Sequence, residues 1–392
     1  MGKTRIVWMV FLGMLSAMAP LSTDMYLPAL PVMTGAFSVG PSLVQLTLTM
    51  TMGGMAIGQL MAGPVSDYAG RRRPLVVGML LFTLSTVGCV VSEDIFVFLV
   101  FRFVQGFTGA FGIVTARAVA RDLYEGVELT KFFSLLMLVN GLAPILAPVI
   151  GGQILLWMSW RGVFVLLAVL GVFLTVSSLF CGETLPKENR IDNMAGSFKN
   201  FGLLMGDPYF RGQCLVQFFF FMTFFAYIAG SPFVFQNIYG ISAQAYSFLF
   251  GGIGVAVSIA GTLPIRLAGR VSDDKVLRWT LWQGIAGSIL FAVGCWQQVS
   301  FVLLVAALLA VIPLVSVLGA VSFSMAMKSQ SKQAGSASAL LGFFSMLAGG
   351  LAAPLVGVAG DHDAMPMAFL MLVGSVAAYV SYRLYIAPAH RA

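Results

Sequence analysis

Charged residues are scarce in this chain of 392 residues. Asp, Glu, Lys and Arg together make up 9% of it, and only two histidines are present. Soluble domains carry about 25% charged residues, so the composition excludes an ordinary soluble domain. The apolar segments also lack paired carboxylates, Ser/His pairs and metal ligands, which argues against an intramembrane enzyme. No ten-residue segments alternate between polar and apolar residues, and this excludes a membrane β-barrel.

Cysteine is equally sparse. Four cysteines stand singly in or beside apolar segments, so they offer neither a metal-ligand spacing nor a disulfide framework. We interpret them as small apolar packing residues. The histidines, His362 and His390, fall in a loop and in the C-terminal tail. We therefore expect no metal site and no cofactor.

Long apolar runs dominate what is present, because hydrophobic residues make up 59% of the chain. Runs of about 20 such residues are long enough for a helix to cross a bilayer. The first run follows Lys3 and Arg5 as in a secretory signal, but it continues past Pro20, so we expect it to be retained as a membrane span. The predicted spans are 7–31, 43–65, 74–92, 95–119, 130–155, 161–182, 210–235, 243–265, 277–297, 299–325, 335–358 and 365–387.

Positive charges fall almost entirely on one side of these spans. All 22 Lys and Arg residues except Arg102 and Arg161 lie near the termini or around the loops that follow even-numbered spans. Because loops rich in Lys and Arg stay in the cytoplasm, both termini are predicted to be cytoplasmic. The net charge of +7 thus reflects topology signals and contact with membrane lipid, and we expect no nucleic-acid partner.

A polar stretch at 183–209 predicts a cytoplasmic linker between two sets of six spans, residues 1–182 and 210–392. A weak repeat links the two sets at an offset of 206 residues. The predicted fold is therefore an all-α membrane protein with twelve transmembrane helices in two pseudo-symmetric six-helix bundles. The repeat pairs Val65-Ser66-Asp67 with Val271-Ser272-Asp273, and Ala147-Pro148 with Ala353-Pro354.

The first span contains a carboxylate, Asp24, within the stretch Ser22 to Pro31. The span assignment places every other Asp and Glu in a loop or at a helix end. Since an ionised carboxylate is costly in hydrocarbon, such a residue usually faces a polar cavity and has a function. Pro28 and Pro31 are expected to interrupt the hydrogen-bond ladder of the helix. The repeat places Gly230 opposite Asp24, so the acid belongs to one half only.

Span 4 contains one arginine, Arg102, deep in an apolar run. A guanidinium stays charged, so it needs an anion or carbonyl oxygens nearby. Asp24 is a candidate partner, because each residue lies roughly 10 Å inside the outer end of its helix. The alternative is that the long side chain extends to the membrane surface alone. Glycines after Arg102, at 106, 109 and 112, predict a close approach of a neighbouring helix.

Two further stretches combine glycine, proline and charge. Between spans 2 and 3, residues 63–73 contain Gly63, Asp67, Gly70 and Arg71, a spacing that predicts a tight turn held at the membrane surface. Span 5 carries two prolines four residues apart, which are expected to bend or loosen the helix, and small residues that permit close packing. The span 5 positions are Pro144, Pro148, Gly151 and Gly152.

The loop at 63–73 resembles the signature of the major facilitator superfamily, and the stretches around Arg102 and at 141–152 resemble its arginine and antiporter motifs. Ala147 stands where the antiporter motif usually has glycine. Together with Ser22–Pro31, these stretches resemble the bicyclomycin/chloramphenicol-resistance branch of drug:proton antiporters. The resemblance implies a two-bundle fold in a bacterial inner membrane. It also implies a central cavity and the exchange of inward-moving protons for outward-moving drug.

The resemblance implies roles for single residues as well. Asp24 would carry the proton, and Arg102 would couple its protonation to movement, because a nearby guanidinium favours the ionised carboxylate. Asp67, Gly70 and Arg71 would latch the halves on the cytoplasmic side. Phenylalanines of span 7 occupy positions that line the cavity in related exporters, and polar Asn140 either lines it or bonds a neighbouring helix. The residues expected at the substrate cavity are Thr23, Tyr26, Asn140, Phe224, Phe225 and Tyr227.

Two other functions remain open at this point. The same fold could export a small metabolite, an amino acid or a sugar, which competition by such compounds would reveal. A passive channel would not require Asp24, so loss of uphill transport in a carboxyl-free variant would count against it. The expected partners are small drugs, protons and membrane lipid, and the protein is expected to act as a monomer.

Overall fold

The computed structural model describes residues 3–330, 334–360 and 362–388, and the regular secondary structure in these ranges is helical. Short 3₁₀ and π segments connect or extend several of the α-helices. The helices are α1 (Lys3–Asp24), α2 (Leu30–Phe37), α3 (Pro41–Ala69), α4 (Arg72–Val91), α5 (Ile95–Leu123), α6 (Gly126–Ile154), α7 (Arg161–Phe180), α8 (Ala195–Gly206), α9 (Pro208–Phe233), α10 (Ala243–Ala260), α11 (Leu263–Leu267), α12 (Asp273–Trp296), α13 (Phe301–Val311), α14 (Leu314–Ser329), α15 (Ala334–Val356) and α16 (Met365–Ser381).

Twelve helical stretches follow the twelve predicted spans. In the described residues, ten of these stretches are long and apolar enough to cross a membrane. The other two are α3 and α6, each 29 residues long. Glutamine and threonine residues make α3 less apolar, and the apolar helix found in α6 runs from Gly141 to Ile154. The prediction of an all-helical, multi-pass membrane protein is confirmed.

The chain forms two compact units. The first comprises Met1–Phe37 with Met50–Ser197, and the second comprises Ser38–Thr49 with Phe198–Ala392. The start of α3 therefore packs in the second unit, while the remainder of that helix packs in the first. The predicted linker at 183–209 contains a 3₁₀ turn and the whole of α8, neither of which the sequence interpretation included. Its role as a domain boundary stays a prediction.

Packing in the first unit brings helix backbones into direct contact. Helix α4 packs on α5 and α7, and α1 packs on α5 and α6. A Cβ on Gly106 of α5 would overlap the carbonyl of Thr51 on α3, and a Cβ on Gly54 would overlap the carbonyl of Phe103. The close approach predicted from the glycines of span 4 is thus present at Gly106, and the neighbouring helix there is α3.

The second unit is organised around α9, which packs on α14, α15 and α16. Buried hydroxyl groups join α9 to α16 and α16 to α12. Thr223 on α9 donates to the carbonyl of Met371 at 3.0 Å, and the hydroxyls of Ser288 and Ser375 lie 2.9 Å apart. Each hydroxyl therefore has a partner inside the apolar interior, which avoids the cost of burying a polar group alone.

The start of α3 is attached to the second unit by side-chain hydrogen bonds. Gln45 donates to the carbonyl of Ala229 at 2.9 Å, and Thr49 donates to that of Gly350 at 2.7 Å. Pro354 lies four residues after Gly350 and has no N–H group, so this carbonyl lacks its helical donor. The hydroxyl of Thr49 donates to this carbonyl in place of the missing N–H group.

The turn predicted across residues 63–73 is shorter than expected. Helix α3 continues through Gly63 and Pro64 to Ala69 and passes its predicted end at residue 65. Gly63 is helical, and a Cβ there would meet nothing within 4 Å. Gly70 has a φ of +90°, a conformation that side chains disfavour. The turn between α3 and α4 is therefore made at Gly70 and Arg71.

Candidate functional site

The first membrane span is interrupted at Asp24. Helix α1 ends there, and a 3₁₀ turn over Leu27–Ala29 leads into α2. Pro28 has no N–H group to bond the carbonyl of Asp24 four residues earlier, so the α-helical ladder stops. Within the turn, the N–H of Ala29 donates to the carbonyl of Tyr26 at 2.8 Å. The predicted interruption is present, and it leaves the carboxyl group at a helix end.

Asp24 is buried in the first unit. It is 7% exposed, and it is the only buried carboxyl residue among the side chains that the structure describes. The side chain of Thr23 lies within hydrogen-bonding reach of it. The Thr23 hydroxyl itself lies 3.1 Å from the carbonyl of Ala19. Among the described side chains, Asp24 therefore has a neutral polar neighbour, and no ion pair to a cation is present.

Arg102 is completely buried in the same unit. Its Nη2 donates to the carbonyl of Ser22 at 3.0 Å, and its Nη1 donates to Oε1 of Gln105. The guanidinium carbon lies 4.4 Å from the ring centroid of Tyr26 and 5.4 Å from that of Phe164, both within range of a cation–π interaction. Extension of this side chain alone to the membrane surface is excluded.

The two buried charges do not form an ion pair within the described contacts. The sequence interpretation considered Asp24 as a partner for Arg102, with carbonyl oxygens as the other kind of partner. The carbonyl of Ser22, two residues before Asp24 on α1, is the one observed. The guanidinium is therefore anchored to the helix that carries the carboxyl group, while the carboxyl group itself stays outside its hydrogen bonds.

The sequence interpretation missed the glutamine that supports Arg102. Gln105 follows it by three residues on α5, so the two side chains share a helix face. The amide nitrogen of Gln105 donates to the hydroxyl of Thr86 at 2.7 Å, and that hydroxyl donates to the carbonyl of Phe82 at 2.7 Å. This chain of hydrogen bonds fixes the orientation of the guanidinium from α4.

Three of the residues predicted at the substrate cavity belong to the first unit. Tyr26 is fully buried beneath Arg102, and Thr23 is buried beside Asp24. The side chain of Asn140 lies outside the described side chains, although its backbone is part of α6. The structure therefore brings Thr23 and Tyr26 to the two buried charges. Their contact with a substrate stays a prediction.

The other three predicted cavity residues lie in the second unit, on α9. Phe225 and Tyr227 are buried, and Tyr227 stacks on Phe250 with ring centroids 5.5 Å apart. Phe224 is partly exposed and lies 5.5 Å from Phe225 by ring centroids. The three side chains thus belong to one aromatic cluster, from which Phe224 presents accessible surface. Their role toward a substrate also stays a prediction.

The proline-rich part of span 5 approaches the end of α1. Helix α6 runs without a break through Pro144 and Pro148, and it buries both Gly151 and Gly152. A Cβ on Gly151 would overlap the carbonyl oxygen of Met25, the residue that follows the carboxyl group. Only glycine permits this contact. The antiporter-like stretch therefore touches the backbone beside Asp24.

A second polar cluster surrounds the turn between α3 and α4. Arg71 donates through Nη1 to Asp67 at 2.5 Å and to Ser66 at 3.0 Å, and through Nε to Asp122 at 2.9 Å. Burial lowers the pKa of Arg71, but hydrogen bonds and charge from Asp122 and Asp67 raise it more, so its pKa lies above the usual value. The predicted residues Asp67, Gly70 and Arg71 are thus brought together at this turn.

Glu183, in the loop after α7, completes the cluster. Its carboxylate accepts the backbone N–H of Arg71 at 2.8 Å and that of Arg72 at 3.4 Å, and it pairs with Arg190 at 3.3 Å. Burial raises the pKa of Glu183, but backbone donors, including Leu185, and the charge of Arg190 lower it more. The resulting pKa lies below the ordinary value. An ionised carboxylate therefore holds the start of α4.

The described residues contain no group of three His, Cys, Asp or Glu side chains placed to hold a metal ion. His362 is in a described loop, whereas His390 lies outside the described residues.

Comparison with known proteins places these features in a family. The sequence model of the Major Facilitator Superfamily matches residues 12–354. The chain is 41% identical over 381 residues to an uncharacterized MFS-type transporter, YdgK, of Bacillus subtilis, covering 96% of this chain and 94% of that protein. It is 31% identical over 391 residues to a bicyclomycin resistance protein homolog of Haemophilus influenzae, covering 96% of each.

The fold agrees with this relationship. The crystal structure of a D-xylose-proton symporter superposes with a TM-score of 0.76 at 14% sequence identity, covering 96% of this chain and 97% of that one. The resemblance inferred from residues 22–31, 63–73 and 141–152 is confirmed at the level of the superfamily and of a relative named for bicyclomycin resistance. The chain belongs to the major facilitator superfamily of membrane transporters.

Proposed function

We propose that this transporter is a multidrug exporter, in which inward movement of protons drives outward movement of small amphipathic drugs by alternating access. The observation that carries the proposal is the buried carboxyl group of Asp24 at an interrupted helix end. The name of the Haemophilus influenzae relative, a bicyclomycin resistance protein homolog, supports drugs as the substrate class. Protons are the coupling ion, and no other cofactor is required.

Asp24 is the proton carrier in this proposal. A neutral carboxyl group is much less costly to bury than an ionised one, so an inaccessible Asp24 favours the protonated form. Arg102 acts on the ionised form, because a guanidinium that approaches a carboxylate stabilises its negative charge. Because Arg102 is anchored on Ser22, the distance between the two charges changes only if Asp24 moves relative to the Ser22 carbonyl.

Two helices can impose such a shift. The guanidinium of Arg102 attaches α5 to α1 just before Asp24, and Gly151 brings α6 against the backbone of Met25 just after it. The carboxyl group thus lies between two attachment points on different helices. Relative movement of α5 and α6 during transport would alter its surroundings, which is what coupling between protonation and conformation requires.

The cluster at the turn between α3 and α4 has a conformational role in the proposal. Arg71 is held by Asp67 and Asp122, and Glu183 holds the first N–H groups of α4. These bonds tie three helix ends and a loop of the first unit into one rigid element. We assign to it the transmission of helix movement at the cytoplasmic end, with both chain termini on that side of a bacterial cytoplasmic membrane.

The test measures uphill drug accumulation in everted membrane vesicles that maintain a proton gradient. The panel contains bicyclomycin, chloramphenicol and other amphipathic drugs, and also amino acids and sugars. Wild type is compared with Asp24→Asn and with Glu93→Gln, a matched change of an exposed loop carboxylate to an amide. We expect Asp24→Asn to lose accumulation and to lose proton release on drug binding, because an amide does not titrate.

Folding and substrate class are read in the same experiment. Asn is nearly isosteric with Asp and neutral, so the melting temperature of Asp24→Asn should stay near that of wild type. Uphill accumulation by Asp24→Asn at the level of Glu93→Gln would contradict the proton-carrier role. Accumulation of amino acids or sugars in place of all the drugs would assign the protein to metabolite export.

A further inference from the structure

A basic cavity of about 380 Å³ lies beside the turn cluster of the first unit. Its walls are the start of α4 and the loop after α7. Four cationic side chains and one carboxylate line it, so its net charge is strongly positive. These side chains are Arg72, Arg73, Lys187, Arg190 and Glu183.

The single carboxylate leaves most of this charge uncompensated. Glu183 already accepts two backbone N–H groups of the turn and pairs with Arg190. In the described part of the chain, neither Arg73 nor Lys187 takes part in an ion pair, and both are exposed. The neighbouring acid, Glu188, is not among the residues that line the cavity.

An apolar surface begins directly at the edge of the cavity. Arg72 donates through Nη2 to the carbonyl of Leu179 at 2.6 Å, which joins the start of α4 to the end of α7. Phe180 follows on α7 with 86% of its surface exposed, and Val77 on α4 is 55% exposed. A cluster of unneutralised cations thus adjoins exposed aromatic and aliphatic side chains on membrane-spanning helices.

We infer that this cavity binds the phosphate group of an anionic phospholipid, whose acyl chains lie along the apolar surface beside Phe180. Arginine and lysine recognise phosphate through charge-assisted hydrogen bonds. Basic residues at the end of a membrane helix attract anionic lipid headgroups. A zwitterionic choline headgroup brings its own cation to the same four positive side chains, so it is disfavoured. The occupant therefore needs a net negative headgroup and an apolar tail.

The test uses the purified full-length protein in detergent, with bound lipid counted by native mass spectrometry. Phosphatidylglycerol and phosphatidylcholine are titrated separately, and sn-glycerol 3-phosphate serves as the soluble headgroup. We expect phosphatidylglycerol to bind about tenfold or more tightly than phosphatidylcholine. The double variant Arg73→Gln/Lys187→Gln should weaken phosphatidylglycerol binding roughly 25-fold, at about fivefold per charge, and should leave phosphatidylcholine binding unchanged.

A matched double variant controls for total charge. Arg266→Gln/Arg270→Gln removes two exposed cations from the second unit and should change the affinity by less than about twofold. Lys187→Gln alone, in a surface loop, gives a second test variant with about a fivefold loss. An equal loss of phosphatidylglycerol affinity in both double variants would overturn the inference, and so would equal affinity of the wild type for the two lipids. Displacement of phosphatidylglycerol by an equal concentration of sn-glycerol 3-phosphate would do so too, and would identify a site for small anions.

Discussion

Replacement of Gly54 by alanine tests the contact between α3 and α5. A Cβ on Gly54 would overlap the carbonyl oxygen of Phe103 and lie 2.7 Å from the backbone nitrogen of Phe107. Real Cβ atoms essentially never approach a neighbour closer than 3.0 Å. Both neighbours are backbone atoms, so no side chain can rotate away and α5 itself must move. Overpacking of this kind costs about 1–3 kcal/mol.

The adjacent Gly53 provides a matched control on the same helix. A Cβ there would meet nothing within 4 Å, so alanine at this position only gains helix propensity, worth up to about 1 kcal/mol. Because that gain is common to both variants, their difference isolates the steric cost. We expect Gly54→Ala to be less stable than Gly53→Ala by about 1–3 kcal/mol.

Thermal unfolding of the two purified variants in detergent measures this difference. One kcal/mol corresponds to about 2–4 °C in Tm for chains of roughly 150–250 residues. Gly54→Ala should therefore unfold about 1–6 °C below Gly53→Ala, because the larger size of this protein roughly halves the shift per kcal/mol. Phe103 adjoins Arg102, so displacement of α5 should also reduce uphill drug accumulation. Equal Tm values for the two variants would refute the packing of α3 on α5 described above.

Two further predictions concern Arg102 and the ion pair of Arg71 with Asp122. Arg102→Ala should abolish accumulation of drug against a gradient, because no cation then stabilises the ionised carboxyl group. Arg102→Lys should restore part of this accumulation, since the charge is kept. Normal pumping by Arg102→Ala would exclude the coupling role of Arg102. A double-mutant cycle on Arg71 and Asp122, measured by thermal unfolding, should give a coupling energy of about 1–3 kcal/mol, because the two side chains are only 10% and 16% exposed. The exposed pair Lys328 and Asp273 serves as control and should give no measurable coupling; equal coupling in the two pairs would contradict the shielding.

Local sequence rules were sufficient to locate the membrane-spanning helices, though not α8, and the positions of the buried charges. Asp24 and Arg102 stand out because each is a single charge inside an apolar run. Pro28 ends the helix because it has no N–H group to bond the carbonyl of the residue four positions earlier. Gln105 could have been included by the same reasoning, since a spacing of three residues places it beside Arg102 on the helix. Each of these inferences uses only residues close together in the chain.

Partners from distant parts of the chain could not be predicted. Asp122 is separated from Arg71 by 51 positions, and Glu183 is separated from it by 112. They meet because the end of α5 and the loop after α7 pack against the same turn, and no local pattern specifies that arrangement. Gly53 and Gly54 also show that contacts with distant parts of the chain cannot be read from local sequence. They are equivalent as sequence, and only the position of α5 determines which of them must lack a side chain.

In the proposed mechanism, the partners of Arg102 would allow Asp24 to change its charge without a large loss of stability. If the guanidinium depended on the carboxylate for its hydrogen bonds, each protonation of Asp24 would leave a buried cation unpaired, at a cost of several kcal/mol. The carbonyl of Ser22, the amide oxygen of Gln105 and the ring of Tyr26 are all uncharged. None of these three contacts involves the carboxyl group of Asp24. In the proposed mechanism, protonation of Asp24 would change its own burial cost and its long-range interaction with Arg102, but not the hydrogen bonds of the guanidinium. This is why we expect Asp24→Asn to abolish coupling while leaving the melting temperature unchanged.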